Sequence, residues 1–247
     1  MKSWEIDINC DVGEGINNEA QLFPFISSCN LACGGHAGDT ETMNRVIALA
    51  RKHHVKIGAH PSYPDRANFG RVSMTLPGSA LKKSINDQIS QLVTQLRAQG
   101  SKLHHIKAHG ALYNDLRVNK DLAMTFLESI EKYKTTVSVY TSFGSALATE
   151  AHKQGFKVVY EAFGDRNYNQ DLSLVSRKDP DALILEPTKV ADHLLMIIKK
   201  GLVCTVDRKF VPIKADTFCI HGDTPSAYQI LMYLSQELPK HHIHLKK

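Results

Sequence analysis

Short strand-like runs alternate with helix-like stretches along the 247-residue sequence. The strand-like runs cover residues 4–9, 28–33, 55–59, 103–108, 136–140, 157–160 and 217–220. The stretches between them carry apolar residues three or four positions apart, which is typical of helices that pack on a sheet. Seven successive strand-to-helix steps predict parallel strands joined by crossover helices. This pattern suits either an open doubly wound sheet or a closed β/α barrel.

Polar residues stand at or just past the end of six of the seven predicted strands. In chain order they are Asn9, Asp11 and Glu14; His36 and Asp39; His60, Asp65 and Arg66; Lys107, His109 and Asn114; Glu161, Asp165 and Arg166; and His221 and Asp223. The carboxyl ends of all strands converge on one face of a barrel, whereas an open sheet spreads them along a line. The sequence therefore predicts a TIM-barrel-like, seven-stranded β/α barrel. We expect one domain over residues 1–247, with a small hairpin near residues 202–213.

Four histidines follow four different strands at equivalent positions, namely His36, His60, His109 and His221. Imidazoles and carboxylates together can hold a divalent ion, and Asp11 with His36 and His60 would form a set of two histidines and one carboxylate. They can equally transfer protons while water attacks an amide carbonyl. The histidine pairs at residues 53–54 and 104–105 lie at a helix end and within a strand, and we assign them no role in the site.

Some of the polar residues have a purely structural alternative. Asp39 and Asp223 each lie close to the start of a predicted helix and could cap its N-terminus. Thr224, which precedes a proline, is a second candidate for an N-cap. The Asp-Arg pairs at residues 65–66 and 165–166 could form loop ion pairs that contribute little to stability.

Composition and missing motifs exclude several classes of function. The net charge is only +5, and the sequence lacks a block of like charges, so we expect no nucleic-acid partner. The apolar runs are shorter than the roughly 18 residues of a membrane span. The five cysteines form no CxxC pair, which favours reduced thiols and a cytoplasmic location. The phosphate loop, the GxSxG elbow and the dinucleotide fingerprint are all absent from the sequence.

Six segments in a fixed order resemble the LamB/YcsF family. They are DINCDVGEG (7–15), NLACGGHAGDTETM (30–43), IGAHPSYPDRANFGR (57–71), KAHGALYN (107–114), EAFGDRNY (161–168) and CIHGDTPSA (219–227). The sequence departs from the family pattern at Ala108, Gly164, Leu172 and Ser176, where proline, alanine, glycine and proline are usual. None of these departures removes a candidate polar group.

The resemblance implies a seven-stranded β/α barrel of the glycoside hydrolase/deacetylase type. It also implies a reaction, the ATP-dependent opening of the lactam of 5-oxo-L-proline (pyroglutamate) to L-glutamate with release of ADP and phosphate. In that family the A subunit works with separate B and C subunits. The missing phosphate loop is compatible with partners that handle much of the nucleotide chemistry, with ATP as the co-substrate of the complex.

We hypothesise that the partner subunits phosphorylate the lactam oxygen, and that this chain binds the intermediate and directs water to it. The expected catalytic residues are Asp11, Glu14 or Glu161 as general base, His60, His109 and His221 as proton donors, and Lys107 as the first anion-binding group. The expected substrate-binding residues are Asn9, His36, Arg71, Asn114, Arg166 and Asp223. A divalent metal remains an open alternative, with Asp11, His36 and His60 as its candidate ligands.

Two other functions are compatible with the same residues. One is a stand-alone, metal-dependent deacetylase or amidohydrolase that needs no ATP. The other is a non-catalytic subunit that binds the lactam and shapes its partners.

Overall fold

The structure is a computed structural model that describes residues 3–246. Within this range the strands are β1 (Trp4–Val12), β2 (Ser28–Ala32), β3 (Lys56–His60), β4 (His105–Lys107), β5 (Ser138–Ser142), β6 (Lys157–Phe163), β7 (Leu202–Cys204), β8 (Phe210–Pro212), β9 (Thr217–Cys219) and β10 (Ile243–Leu245). The α-helices are α1 (Glu19–Leu22), α2 (Thr40–Lys52), α3 (Gly78–Ala98), α4 (Gly110–Val118), α5 (Lys120–Ser129), α6 (Ala146–Lys153), α7 (Pro187–Lys200) and α8 (Ala227–Glu237).

Seven parallel strands close into a barrel in the order β1, β2, β3, β4, β5, β6, β9 and back to β1. The closing pair aligns Asp7 of β1 with Thr217 of β9, so β1 has a neighbour on both sides. This arrangement confirms the predicted barrel and excludes the open sheet. Each predicted strand is present, with bounds that differ by at most three residues.

β10 is an additional strand that the sequence analysis did not predict. It pairs in parallel with the first residues of β1, where Trp4 lies opposite Ile243, while β9 pairs with the middle of β1. Three residues are too short a run to show a period, so β10 carries no recognisable strand signal. The hairpin expected near residues 202–213 corresponds to β7 and β8, which pair antiparallel outside the barrel.

The helices cover the barrel with the apolar stripes that their sequences carry. In α3 the stripe of Leu81, Ile85, Ile89, Leu92 and Leu96 is buried along the whole helix. Asp39 caps α2, because its side chain accepts a hydrogen bond from the backbone N–H of Thr42, and this bond lowers the pKa of Asp39. Among residues 3–246, helices of the length and apolarity needed to cross a bilayer are absent.

The expected N-cap at Thr224 is wrong. Helix α8 begins at Ala227, and its N-cap residue is Ser226. The Thr224 hydroxyl instead donates a hydrogen bond to the buried carboxylate of Asp165, 2.6 Å away. Thr224 therefore bonds to a residue 59 positions earlier in the chain and does not cap the adjacent helix.

His193 ties α7 to the barrel wall. Its Nε2–H donates to the backbone carbonyl of Phe163 at the end of β6, at 3.1 Å. Burial lowers the pKa of His193 to about 4, so the ring is neutral near pH 7. The folded protein therefore resists protonation at this position.

We predict that the His193→Gln variant, which keeps an N–H donor, is less sensitive to acid than the wild type. The unfolded chain protonates His193 near pH 6.5 and the folded chain only near pH 4, so the stability contributed here falls as the pH drops through this window. Between pH 7.5 and pH 5 the wild type should lose about 2 kcal/mol more unfolding free energy than the variant, as measured by urea denaturation. Equal losses in the two proteins would contradict this assignment.

Candidate active site

A cavity of about 640 Å³ opens at the carboxyl end of the barrel. The predicted site residues that line it are Asp11, Glu14, His60, Arg71, Lys107, His109, Asn114, Arg166, His221 and Asp223. Asn9 and Glu161 lie beneath this lining, inside the barrel, and His36 lies beside it. The loops after different strands thus meet over one concavity, as they do in barrels of this kind.

Lys107 is the centre of the buried charges. Its Nζ lies 3.0 Å from Asp11 Oδ1 and 2.9 Å from Glu161 Oε1, and its side chain is 2% exposed. The ammonium also lies 3.2 Å from the sulfur of Cys219. Burial alone would lower the pKa of Lys107, but Asp11, Cys219 and Glu161 raise it well above its ordinary value. The lysine is therefore a cation that already has two carboxylate partners.

The period of a β-strand brings these groups into the barrel. Alternate residues of a strand face the same side. Asp7, Asn9 and Asp11 therefore share the inner face of β1, and His105 and Lys107 share the inner face of β4. The structure shows that β1 continues to Val12 and β6 to Phe163, so Asp11 and Glu161 belong to strands and not to the loops after them.

Asparagine amides fix the two carboxylates from below. Asn9 Nδ2 donates to Glu161 Oε1 at 3.0 Å, and Asn30 Nδ2 donates to Asp11 Oδ1 at 2.7 Å. The oxygen of Asn30 in turn lies 2.7 Å from Nε2 of the fully buried His105. Asn30 was not among the predicted site residues and His105 was assigned no role, although Asn30 interrupts the apolar residues Cys29 and Leu31.

His60 and His109 present their ring nitrogens to each other above this layer. His60 Nδ1 lies 2.8 Å from the Lys107 carbonyl, and His109 Nε2 lies 3.0 Å from the Phe69 carbonyl. Because a carbonyl only accepts, both of these nitrogens carry the proton. In the neutral rings the lone pairs are therefore on His60 Nε2 and His109 Nδ1, which are 3.0 Å apart.

Two carboxylates complete this set of donors. The ligand atoms of Asp11, Glu14, His60 and His109 all lie within 4.8 Å of one another. His60 Nε2 is 3.4 Å from Asp11 Oδ2, and His109 Nδ1 is 3.3 Å from Glu14 Oε1. Nitrogen and oxygen ligands at about 2.1 Å from one ion lie about 3.0 to 3.4 Å apart, so the four residues have a spacing that fits a divalent cation. We call Asp11, Glu14, His60 and His109 the donor set.

His36 supports the donor set and is not part of it. Its Nε2 lies 2.9 Å from Glu14 Oε1, and its ring stacks on His109 with centroids 3.6 Å apart. Burial lowers the pKa of His36 to about 4, so the neutral ring donates to Glu14 near pH 7. Burial alone would raise the pKa of Glu14, but its contacts with His109 and His36 lower it. Glu14 is therefore a carboxylate.

Close backbone contact sets the position of His109. Gly110 has a φ of +57°, and a Cβ atom at this position would lie 2.6 Å from the carbonyl oxygen of Gly70. The same oxygen accepts a hydrogen bond from the backbone N–H of Ala111. Glycine is required at position 110 because any side chain would push the loop after β3 away from α4.

His221 and Asp165 form a second pair across the cavity. Asp165 is fully buried and accepts hydrogen bonds from the backbone N–H of His221 and from its Nδ1, both at 2.9 Å, and from Thr224. Burial alone would raise the pKa of Asp165, but His221 and Thr224 lower it to about 2. With Nδ1 held in this way, Nε2 is the ring nitrogen left for the cavity. Asp165 is thus a partner of His221 and does not form the loop ion pair with Arg166 that was one of its two possible roles.

Arginines occupy the rim of the cavity. Arg71 Nη2 lies 2.5 Å from Asp223 Oδ2, and Arg177 Nη1 lies 3.2 Å from the same oxygen. Arg166 donates instead to the backbone carbonyls of Ala182 and Val175, which fixes the loop after β6. Asp223 is therefore bound by two cations and does not cap α8. Asn114 lines the cavity from the exposed side of α4.

Comparisons with known proteins agree along the whole barrel. A family model described as the LamB/YcsF family matches residues 6–247. A protein from Chloroflexus aurantiacus that is named as the A subunit of 5-oxoprolinase is 41% identical over 227 residues, which cover 90% of each chain. One of the same name from Shouchella clausii is 40% identical and covers 98% of this chain and 97% of its own. A crystal structure of a lactam utilization protein from Thermus thermophilus superposes with a TM-score of 0.89 at 32% identity, covering 98% of this chain and 99% of that chain.

We predict that Asp165→Asn destabilises the protein by about 2 to 4 kcal/mol at neutral pH. The amide keeps one acceptor oxygen, but its NH₂ group would face the donors that the carboxylate now satisfies. Chemical denaturation measures the difference. The matched control is Asp87→Asn, which alters an exposed pair with Lys83 on α3 and should change little. A loss no larger than that of the control would contradict the assigned role of Asp165.

Proposed function

The chain belongs to the LamB/YcsF family, and on this basis we propose that it acts in 5-oxoproline metabolism as the A subunit of an ATP-dependent 5-oxoprolinase. The reaction we propose is the hydrolysis of the lactam of 5-oxo-L-proline to L-glutamate, with ATP converted to ADP and phosphate. The shared name of the relatives supports this proposal, and because that name describes one subunit it also supports separate partner chains.

The observation that supports this chemistry is that ionised carboxylates and the pair of His221 and Asp165 lie around one cavity. Asp11 and Glu14 lie in the donor set, and His221 lines the same cavity with its Nδ1 held by Asp165. Hydrolysis of a cyclic amide needs a base for the attacking water and an acid for the departing nitrogen. The cavity supplies both functions, with Asp11 and Glu14 at or just past the end of β1 and His221 after β9.

ATP has a chemical purpose in this reaction because resonance protects a lactam carbonyl. Phosphorylation of the lactam oxygen removes that resonance and creates a leaving group. We propose that the partner subunits carry out this step, since the sequence has no phosphate loop. Two water molecules are consumed overall, one to open the ring and one to release phosphate.

The residues of the cavity have different roles in this reaction. Asp11 or Glu14 accepts the proton of the attacking water, and the imidazolium of His221 donates its own proton to the ring nitrogen as the carbon–nitrogen bond breaks. Asp165 stabilises the imidazolium form of His221. His60 and Lys107 lower the pKa of Asp11, and Lys107 adds positive charge near the developing oxyanion. Because Lys107 already has two carboxylate partners, binding of the substrate's anionic groups falls to the arginines of the rim.

The donor set also supports a second candidate, a metal-dependent amidohydrolase that needs neither ATP nor a partner. Asp11, Glu14, His60 and His109 would hold the ion, since their ligand atoms lie within 4.8 Å of one another. A divalent ion bound there would polarise a carbonyl oxygen and lower the pKa of a bound water. Asn30 and His36, which orient Asp11 and Glu14, would support its ligands.

We predict that Asp11→Asn and His109→Asn each reduce ATP-dependent glutamate release at least about 100-fold in the enzyme reconstituted with its candidate B and C subunits. The loss follows from removing a base in Asp11→Asn and, in His109→Asn, the ring that contacts Glu14 and His60. The assay measures glutamate from 5-oxo-L-proline with and without each partner. The control is His152→Gln, a surface histidine outside the cavity, which should retain full activity. Full activity in both site variants would point to the non-catalytic, lactam-binding alternative.

We predict that the donor set binds Co²⁺ and that Glu14→Gln and His109→Asn each weaken this binding at least about tenfold, because each removes one ligand. Calorimetric titration of the chain measures the affinity, with His152→Gln as the unchanged control. No difference between the site variants and the wild type would exclude the donor set as a metal site. Activity that disappears on chelation and requires no ATP would favour the amidohydrolase.

A further inference from the structure

Three loops meet over the cavity through one carboxylate. Arg71 follows β3, Arg177 follows β6 and Asp223 follows β9. The two guanidinium groups share Asp223 Oδ2, and Arg177 Nη2 lies 3.5 Å from the other oxygen. We call Arg71, Arg177 and Asp223 the rim clasp.

The rim carries more positive than negative charge. The basic residues that line the cavity at this level are Arg71, Arg117, Arg166, Arg177 and Lys178, and the acidic ones are Asp171 and Asp223. Arg117 pairs with Asp171, so the single carboxylate of Asp223 faces both arginines of the clasp. Burial and the nearby Arg177 lower the pKa of Arg166. Such a cluster favours a further anion.

We propose that Arg71 and Arg177 form a binding site for a phosphoryl group, and that Asp223 occupies this site until the phosphoryl group displaces it. Each guanidinium offers paired N–H donors that match the oxygens of a phosphate. The identity of the molecule that carries the phosphoryl group, a phosphorylated lactam, rests on the proposed function. The anion site itself rests only on the rim clasp.

The internal carboxylate makes the site selective for phosphate over carboxylate. Asp223 is tethered beside the arginines, so its effective concentration exceeds that of a free ligand in solution. A free carboxylate of the same charge gains nothing by replacing it. A phosphoryl group brings a charge of about −1.5 to −2 and three acceptor oxygens, so it gains electrostatic energy in the exchange.

The position of Arg71 links this anion site to the donor set. Its guanidinium lies 4.8 Å from the centroid of the Phe69 ring, and the Phe69 carbonyl accepts the hydrogen bond of His109 Nε2. Asp223 is two residues from His221, which is the acid of the proposed reaction. A phosphoryl group bound between Arg71 and Arg177 would therefore place the atom that carries it in the same cavity as the catalytic groups.

The test is phosphate binding by the full chain after passage over a chelating resin, so that a metal ion cannot supply the affinity. Calorimetric titration with inorganic phosphate and with acetate gives the two affinities. We expect phosphate to bind the wild type at least about tenfold more tightly than acetate. Arg71→Gln and Arg177→Gln should each weaken phosphate binding about tenfold or more. Asp223→Asn should tighten phosphate binding about two- to fivefold, because the competing carboxylate is gone.

Matched controls separate the rim clasp from general effects of charge. Arg97→Gln near the end of α3 and Asp87→Asn on the same helix change the net charge by the same amount and should leave phosphate binding unchanged. Thermal unfolding checks that each variant is folded. Unchanged phosphate affinity in both arginine variants, weaker binding in Asp223→Asn, or equal affinity of the wild type for acetate and phosphate would each overturn the inference.

These outcomes are independent of the proposed reaction. If the arginine variants bind phosphate normally while the reconstituted enzyme releases glutamate from 5-oxo-L-proline, the rim clasp fails and the proposed function stands. If phosphate binding follows the expected order while glutamate release is absent, the anion site stands and the proposed function fails.

Discussion

The buried contact of Lys107 with Asp11 and Glu161 couples the barrel to its site. The three residues come from β4, β1 and β6, so the contact exists only when the barrel is closed. Removal of one partner would leave an uncompensated charge in the interior, which typically costs about 3 to 5 kcal/mol. Asn9 and Asn30 donate to the same carboxylates from below. The site therefore forms only when the barrel closes.

The layers above this contact serve different purposes. Backbone carbonyls accept hydrogen bonds from one ring nitrogen of His60 and one of His109, so the other nitrogen of each ring faces the carboxylates of the donor set. The pair of His221 and Asp165 belongs to the loops after β9 and β6 and approaches the cavity from another side. The rim clasp lies outermost and is partly exposed, which suits groups that must exchange partners. Burial thus decreases from the barrel interior to the mouth.

Several site residues were predictable because strand ends of a barrel converge, and others were not. The ends of successive strands and the positions just after them brought Asp11, His60, Lys107, His109 and His221 into one cavity, as expected. For Asp165 a place in the site and a loop ion pair stayed open, because a sequence cannot show that His221, 56 residues later, supplies the hydrogen bonds. Arg177 escaped notice because it lies in a long loop without a periodic pattern. Leu172 in the same loop has a φ of +65°, at a position where the family usually has glycine.

Local sequence patterns were enough to specify the architecture and the chemical inventory. Seven alternations of strand and helix specify a parallel β/α arrangement, and the apolar stripes specify which face of each helix is buried, because both follow from the period of the local backbone. The choice of partner for each polar residue came from the three-dimensional fold alone. In the folded protein Asp165 pairs with His221, and His36 contacts Glu14. Lys107 contacts two carboxylates, and Asp223 lies between two arginines. These pairings depend on distances between loops that are far apart in the chain, and no local pattern encodes such distances.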